Sequence, residues 1–262
     1  MNLALHVADD CLARHDVRVL GDGARTVVFG PGFGCDQTTW LPVAQALARS
    51  HRVVLMDFLP ARHDSLHGHA ADLLEVLAAL QAENVVFVGH SVAASIGLLA
   101  AVQAPARFAS LALLCATPCY LDEPPHYAGG FSREQVDGLL ELMERNFADW
   151  SDTVGPLAFG EFNAESFACD FSRRLRRQDP AALRRFMALT LLSDLRADLP
   201  RCPVPTLVLQ SPHDDFVPAS ATRHLVEALP AATLRLLDAS GHCPHVTHPA
   251  QVARALHAHL SA

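Results

Sequence analysis

The chain has 262 residues, half of them hydrophobic and 18% charged, with 20 Lys and Arg against 28 Asp and Glu. That length suits one large α/β core carrying an insertion, since no Gly/Ser- or Pro-rich tract divides the sequence into independent halves. A formal charge of −8 removes the electrostatic reason to expect nucleic acid or an anionic membrane as partner, and a small neutral molecule is the better expectation.

Residues 1–10 carry neither a basic leader segment nor a long apolar one, and no apolar run reaches the roughly 18 residues of a membrane span. A cytoplasmic protein is expected. The seven cysteines (Cys11, Cys35, Cys115, Cys119, Cys169, Cys202, Cys243) are odd in number and scattered, which fits free thiols in a reducing compartment better than a disulfide scaffold.

In chain order, β-branched or apolar runs at 26–29, 53–56, 85–88, 111–114, 206–209 and 234–237 stand among helix-like stretches at 41–48, 70–81, 93–103, 219–228 and 249–260. This alternation reads as βαβ units around a mostly parallel sheet with helices on both faces. Between 117 and 200 the strand signal gives way to helical stretches near 132–146, 165–177 and 180–191, the first opened by the capping-box pair Ser132 and Gln135. The βα pattern resumes at Pro205. Residues 118–200 are therefore expected to form a helical cap inserted after the sixth strand, over a core made of residues 1–117 and 201–262. A separate all-α domain is the alternative.

The strongest local signal is Gly89-His90-Ser91-Val92-Ala93, set between an apolar run and a helix of small residues. A tight strand-to-helix turn of this kind projects a serine hydroxyl above the sheet, although Ala93 stands where the usual pattern has its second glycine. A serine that only caps the following helix is the plainer reading. A nucleophilic serine needs a base, and the base needs an acid, in the chain order Ser, Asp, His. The run 206–210 leads into Asp214 and Asp215, and the last strand-like run leads into Gly241-His242. Asp214, four residues before Pro218, is favoured over its neighbour, and His242 at the loop tip is favoured over His245 and His248. His90 is expected to pack in the pocket wall and move no proton. An oxyanion hole is expected from the N–H groups of Phe33, within Gly30-Pro31-Gly32-Phe33-Gly34, and Val92. As a phosphate cradle the same loop lacks the lysine and the glycine spacing.

Two further clusters invite chemistry and are given the plainer reading. His63, His67 and His69 with Asp64 match no standard ligand spacing, so a solvated loop is expected there and no metal or cofactor. Cys115 and Cys119 fall short of a C-x-x-C motif and are expected to be buried thiols.

Beyond this, Gly32-Phe-Gly-Cys-Asp-Gln37 with Trp40, Val85-Val-Phe-Val-Gly-His-Ser-Val92, Pro118-Cys-Tyr-Leu-Asp122, Tyr127-Ala-Gly-Gly-Phe131, Ser193-Asp194 and Gly241-His-Cys-Pro-His245 resemble the RsbQ-like α/β hydrolases. That group takes in a bacterial stress-response regulator and the plant strigolactone and karrikin receptor hydrolases. The resemblance spans nearly the whole chain. It implies the α/β-hydrolase fold, a cap of four helices, and a small apolar pocket lined by Phe33, Phe131, Val154 and Leu191, beside the His90 already expected in its wall. It also implies Ser91, Asp214 and His242 as the triad of a hydrolase acting on a small hydrophobic ester, lactone or related acyl compound. For the bacterial branch it implies, alternatively, a signalling role with a PAS-domain phosphatase as partner. Two departures stand out. The loop after Asp57 is shorter than in that group by about ten residues, and Leu191 takes a position that is aromatic in some members.

Overall fold

The structure is a computed structural model and describes residues 10–160 and 164–261, so the reading of residues 1–9 as lacking a leader lies outside the described residues. The apolar runs pair into one sheet. Its strands are β1 (Arg18–Leu20), β2 (Thr26–Gly30), β3 (Arg52–Leu55), β4 (Val85–His90), β5 (Phe108–Leu114), β6 (Thr206–Gln210) and β7 (Ala232–Leu236). Their spatial order is β1-β3-β2-β4-β5-β6-β7, parallel throughout except for β1 on β3.

Every residue of β2, β4 and β6 is buried, as expected for strands covered on both faces. Successive side chains point to opposite sides. Val28, Val85 and Phe87 pack with helices α2 (Leu66–Ala79) and α3 (Val92–Gln103), whereas Val27, Phe29 and Val88 pack with α1 (Leu41–Leu47) and the closing helix Pro249–Leu260. Helix α3 is buried almost all round, which explains its run of small residues. Among the described residues no helix is long and apolar enough to cross a membrane.

Three local expectations change. β1 has no signal in the sequence because it is a three-residue, largely exposed edge strand. Helix α2 begins at Leu66, four positions before the apolar periodicity at 70, because the Ser65 hydroxyl accepts the N–H of Gly68. A Cβ at Gly68 would lie 2.5 Å from the His63 ring, so glycine lets that ring rest on the first turn. The expected solvated loop over 63–69 is thus corrected: His67 and His69 are helical, and His69 is fully buried against Phe58 and Phe186.

The insertion leaves after β5, the fifth strand of the described residues and not the sixth, because a single antiparallel strand stands at that edge of the described sheet. It contains α4 (Arg133–Arg145), α5 (Phe147–Phe159), α6 (Ala164–Leu175) and α7 (Pro180–Leu192). Helix α5 is invisible to periodicity because Gly155 and Pro156 interrupt it; its Asn146 cap and the burial of Trp150, Val154 and Phe159 hold it. The two crossings between core and insertion are joined side by side. Cys119 bridges to Asp194, the Leu195 N–H donates to the Pro118 carbonyl at 2.8 Å, and Leu121 bridges to Phe131. These contacts account for motif pieces that have no chemical task of their own. Arg174 of α6 reaches the Asp36 carboxylate at 2.6 Å and the Thr38 hydroxyl at 2.9 Å, tying the insertion to the loop after β2.

At the start of α4 the capping box is complete: Ser132 Oγ accepts the Gln135 N–H at 3.2 Å and Gln135 Oε1 accepts the Ser132 N–H at 2.8 Å. Ser132→Ala is expected to lower unfolding free energy by about 1 kcal/mol. An unchanged urea midpoint would show that the insertion does not depend on this cap.

Candidate active site

β2 leads to β3 on one side while β4 returns on the other, so the loops leaving β2 and β4 part at their carboxyl ends and open a crevice between them. Gly30 and Gly89 lie level in that pair. A Cβ at Gly89 would stand 2.7 Å from the backbone of Ala93, and one at Gly30 would stand 3.0 Å from the Ala93 methyl. Crowding thus demands small residues here, and alanine at 93 meets the demand.

Ser91 follows in the strained conformation φ 54°, ψ −121°, a region that costs a side-chain-bearing residue roughly 1–3 kcal/mol. Its N–H donates to the Leu114 carbonyl and its carbonyl accepts from Ala94, both at 2.9 Å. The turn aims the hydroxyl at His242, with Oγ 2.9 Å from Nε2. His242 Nδ1 lies 3.0 and 2.9 Å from the two Asp214 oxygens. Asp214 also accepts the N–H groups of Phe216 and Val217 and the Gln210 amide, at 2.9, 3.2 and 3.0 Å. Burial pushes its carboxyl up, but the His242 charge and these donors outweigh it and hold it below the ordinary carboxylate value. Asp214, not Asp215, carries the bonds to His242; Asp215 is exposed at the cavity wall.

His242 is held from behind. Gly241 has φ 84° and donates its N–H to the His213 carbonyl at 2.7 Å, while the His242 N–H donates to the Ala158 carbonyl of α5 at 2.8 Å. The other nearby histidines differ from it. Burial, then the neighbouring His242, pushes His90 down to about 3, and burial likewise pushes His245 well below its ordinary value. Both are neutral rings at neutral pH and unsuited to take a proton. His248 pairs with the Thr247 hydroxyl at 2.8 Å.

Over Ser91 lies a cavity of about 230 Å³ walled by residues from the core loops and the insertion. Phe33, His90, Phe131, Val154 and Leu191, all expected in the wall, are there. No Lys or Arg among the described residues lines it. Val92 opens α3, where first-turn N–H groups lack a partner within the helix, and the Phe33 N–H has no protein acceptor among the described residues.

Sequence reasoning missed three contributors. The Tyr120 hydroxyl is 3.3 Å from Ser91 Oγ, and burial above all raises its phenol, so it stays protonated. Trp150 lies in the helix hidden by Gly155 and Pro156, and Gln210 supports Asp214 from the strand end. Only Tyr120 left a sequence signal, as part of the 118–122 motif. Of the histidines at 63, 67 and 69, the rings of His63 and His69 meet edge to face at 5.1 Å between centroids. His63 bonds the buried Asp72 carboxylate at 2.8 Å beside Arg62 at 3.0 Å, and His67 is exposed.

Comparison with known proteins places the chain in a family. The profile of the Alpha/beta hydrolase family matches residues 27–255. The chain is similar to the strigolactone esterase RMS3 of Pisum sativum, at 34% identity over 94% of this chain and 96% of the relative. It is also similar to the karrikin insensitive 2 receptor CA of Petunia hybrida, at 32% identity over 94% and 95%. Among solved structures, a hydrolase from Oleispira antarctica superposes with a TM-score of 0.93 at 30% identity, covering 97% of both chains.

The Asp214 environment makes a pH prediction. A carboxyl held below its unfolded value of about 3.9 stabilises the fold above that pH and loses the effect as pH falls through the folded value. The melting-temperature deficit of Asp214→Asn is therefore expected to be widest at neutral pH and to shrink in acid. A deficit independent of pH would contradict the described pairing.

Proposed function

Since the chain belongs to the α/β-hydrolase family, we propose that this enzyme is a serine hydrolase of small hydrophobic esters, lactones or related acyl compounds. The observation that carries the reading is the Ser91–His242–Asp214 relay at the floor of an apolar cavity of about 230 Å³. Ser91 Oγ attacks the acyl carbonyl carbon as its proton passes to His242 Nε2. Asp214 keeps Nδ1 protonated and stabilises the imidazolium. The N–H groups of Phe33 and Val92 receive the charge that develops on the carbonyl oxygen. Collapse expels the alcohol, which takes the proton from His242. A water then gives its proton to His242, attacks the acyl-enzyme and releases the acid as Ser91 recovers its proton. The apolar walls supply affinity for a small, uncharged acyl group. The insertion acts as a cap, spanning residues 118–200, that shuts bulk water away from the acyl-enzyme.

Nitrophenyl esters of short acids are expected to be hydrolysed, and a fluorophosphonate to label Ser91. Ser91→Ala is expected to lose the label and at least roughly a thousandfold in kcat. Absence of both labelling and turnover in the folded wild type would end this reading.

A second reading is favoured by the receptor named among the relatives. In it the same cavity binds or slowly hydrolyses a ligand, and the cap presents a surface to a protein, with a PAS-domain phosphatase as the partner proposed. Affinity capture from the native host with Ser91→Ala as bait is expected to retain that partner. Retention of no such protein, with fast turnover of a metabolite, would leave the metabolic role alone.

A further inference from the structure

Directly behind the relay, Cys35, His90 and His245 come together so that one ligating atom of each lies within 4.8 Å of the others. Both rings are almost wholly buried, and three of their nitrogens, His90 Nδ1 and both nitrogens of His245, have no hydrogen-bond partner among the described residues. Such atoms are costly to bury unmatched. Tilted packing of His245 against Trp40 at 4.3 Å and against His90 at 4.4 Å between ring centroids accounts for the ring faces but leaves the nitrogens unanswered.

The tautomer of His90 is set by its surroundings. Its Nε2 lies 2.8 Å from the His242 carbonyl oxygen, which only accepts, so Nε2 bears the proton and Nδ1 presents a lone pair. Histidines that bind metals are oriented in the same way, by donating the other ring N–H to an acceptor. A Cβ at Gly32 would sit 2.2 Å from His90 Nδ1, so glycine leaves that lone pair uncovered. Cys35 is half-buried, which gives the cluster an opening, and the Cys243 thiol lies against Cys35.

We propose that Cys35, His90 and His245 form a three-ligand site for a soft cation, Zn²⁺ or Cu⁺. Two imidazoles and thiol sulfur without a carboxylate select these ions over Mg²⁺ or Ca²⁺. Metal bonds of about 2.0–2.3 Å in a tetrahedral site place ligand atoms roughly 3.3–3.8 Å apart, a small closure from the present spacing. On binding, the Cys35 thiol releases its proton to solvent and no electron transfer is required. A second grouping, Cys115 with Asp214 and His242, belongs to the relay, where the carboxylate is already bonded to His242.

The test titrates Co²⁺, as a spectroscopic stand-in for Zn²⁺, into the full chain after chelator treatment under reducing, oxygen-free conditions. One equivalent is expected to give a thiolate-to-cobalt charge-transfer band that Zn²⁺ displaces. Competition with a chromogenic Cu⁺ chelator then ranks the two ions. Cys35→Ser is expected to abolish the band and weaken Zn²⁺ binding at least tenfold, and His245→Gln to weaken it comparably, while the exposed Cys169→Ser retains both. Melting curves check that the variants fold. A wild type without the band overturns the proposal whatever the variants do, and so does a band that survives Cys35→Ser.

Discussion

The lateral contact between β2 and β4, with Gly30 level with Gly89, is the constraint on which the rest of the site depends. Because neither position has room for a Cβ, the two strands and the first turn of α3 approach closely enough for the loop holding Phe33 to stand beside Ser91. The same closeness fixes where the strain at Ser91 is borne. The six buried residues of β4 and the hydrogen bond to Leu114 of β5 over-determine a conformation that an isolated turn would abandon. Function at this sheet edge therefore draws on the stability of the middle of the sheet.

Charge is distributed by burial more than by composition. The chain has fifteen histidines, yet His242 alone among those near Ser91 is given a carboxylate, while burial keeps His90 and His245 neutral. Asp214 stays ionised because four nearby groups answer its oxygens, the Gln210 amide, the N–H groups of Phe216 and Val217 and His242 Nδ1, whereas Asp215, one residue on, is exposed. In the apolar surroundings of the cavity, each fixed dipole acts with little screening by water.

The sheet was legible because strands covered on both sides must be continuously apolar, and Ser91, Asp214 and His242 were legible as candidates because they fall in loops leaving the carboxyl ends of β4, β6 and β7. What escaped detection depends on tertiary contact. Helix α5 has Gly155 and Pro156 in its second half and survives because Trp150, Val154 and Phe159 are buried. The 63–69 segment reads as a polar loop until the His63 ring lies on Gly68. Tyr120 and Gln210 gain their importance from what they touch, Ser91 and Asp214; the 118–122 motif marks Tyr120 without giving it a role, and no local pattern announces Gln210. The preference for Asp214 over Asp215, which the sequence drew from the spacing to Pro218, has its physical ground in the N–H groups of Phe216 and Val217, which point at that carboxylate.

A Cβ on Gly241 would fall 2.4 Å from the Phe159 carbonyl oxygen, and the next N–H in the chain, that of His242, is bonded to Ala158. The end of α5 and the histidine loop are therefore one mechanical part, although they are some eighty residues apart in the chain. Lifting α5 off the sheet drags the imidazole away from Ser91. An opening that admits a ligand and leaves the relay assembled has to run past the other helices of the insertion, so the doorway and the machinery are hung on different hinges.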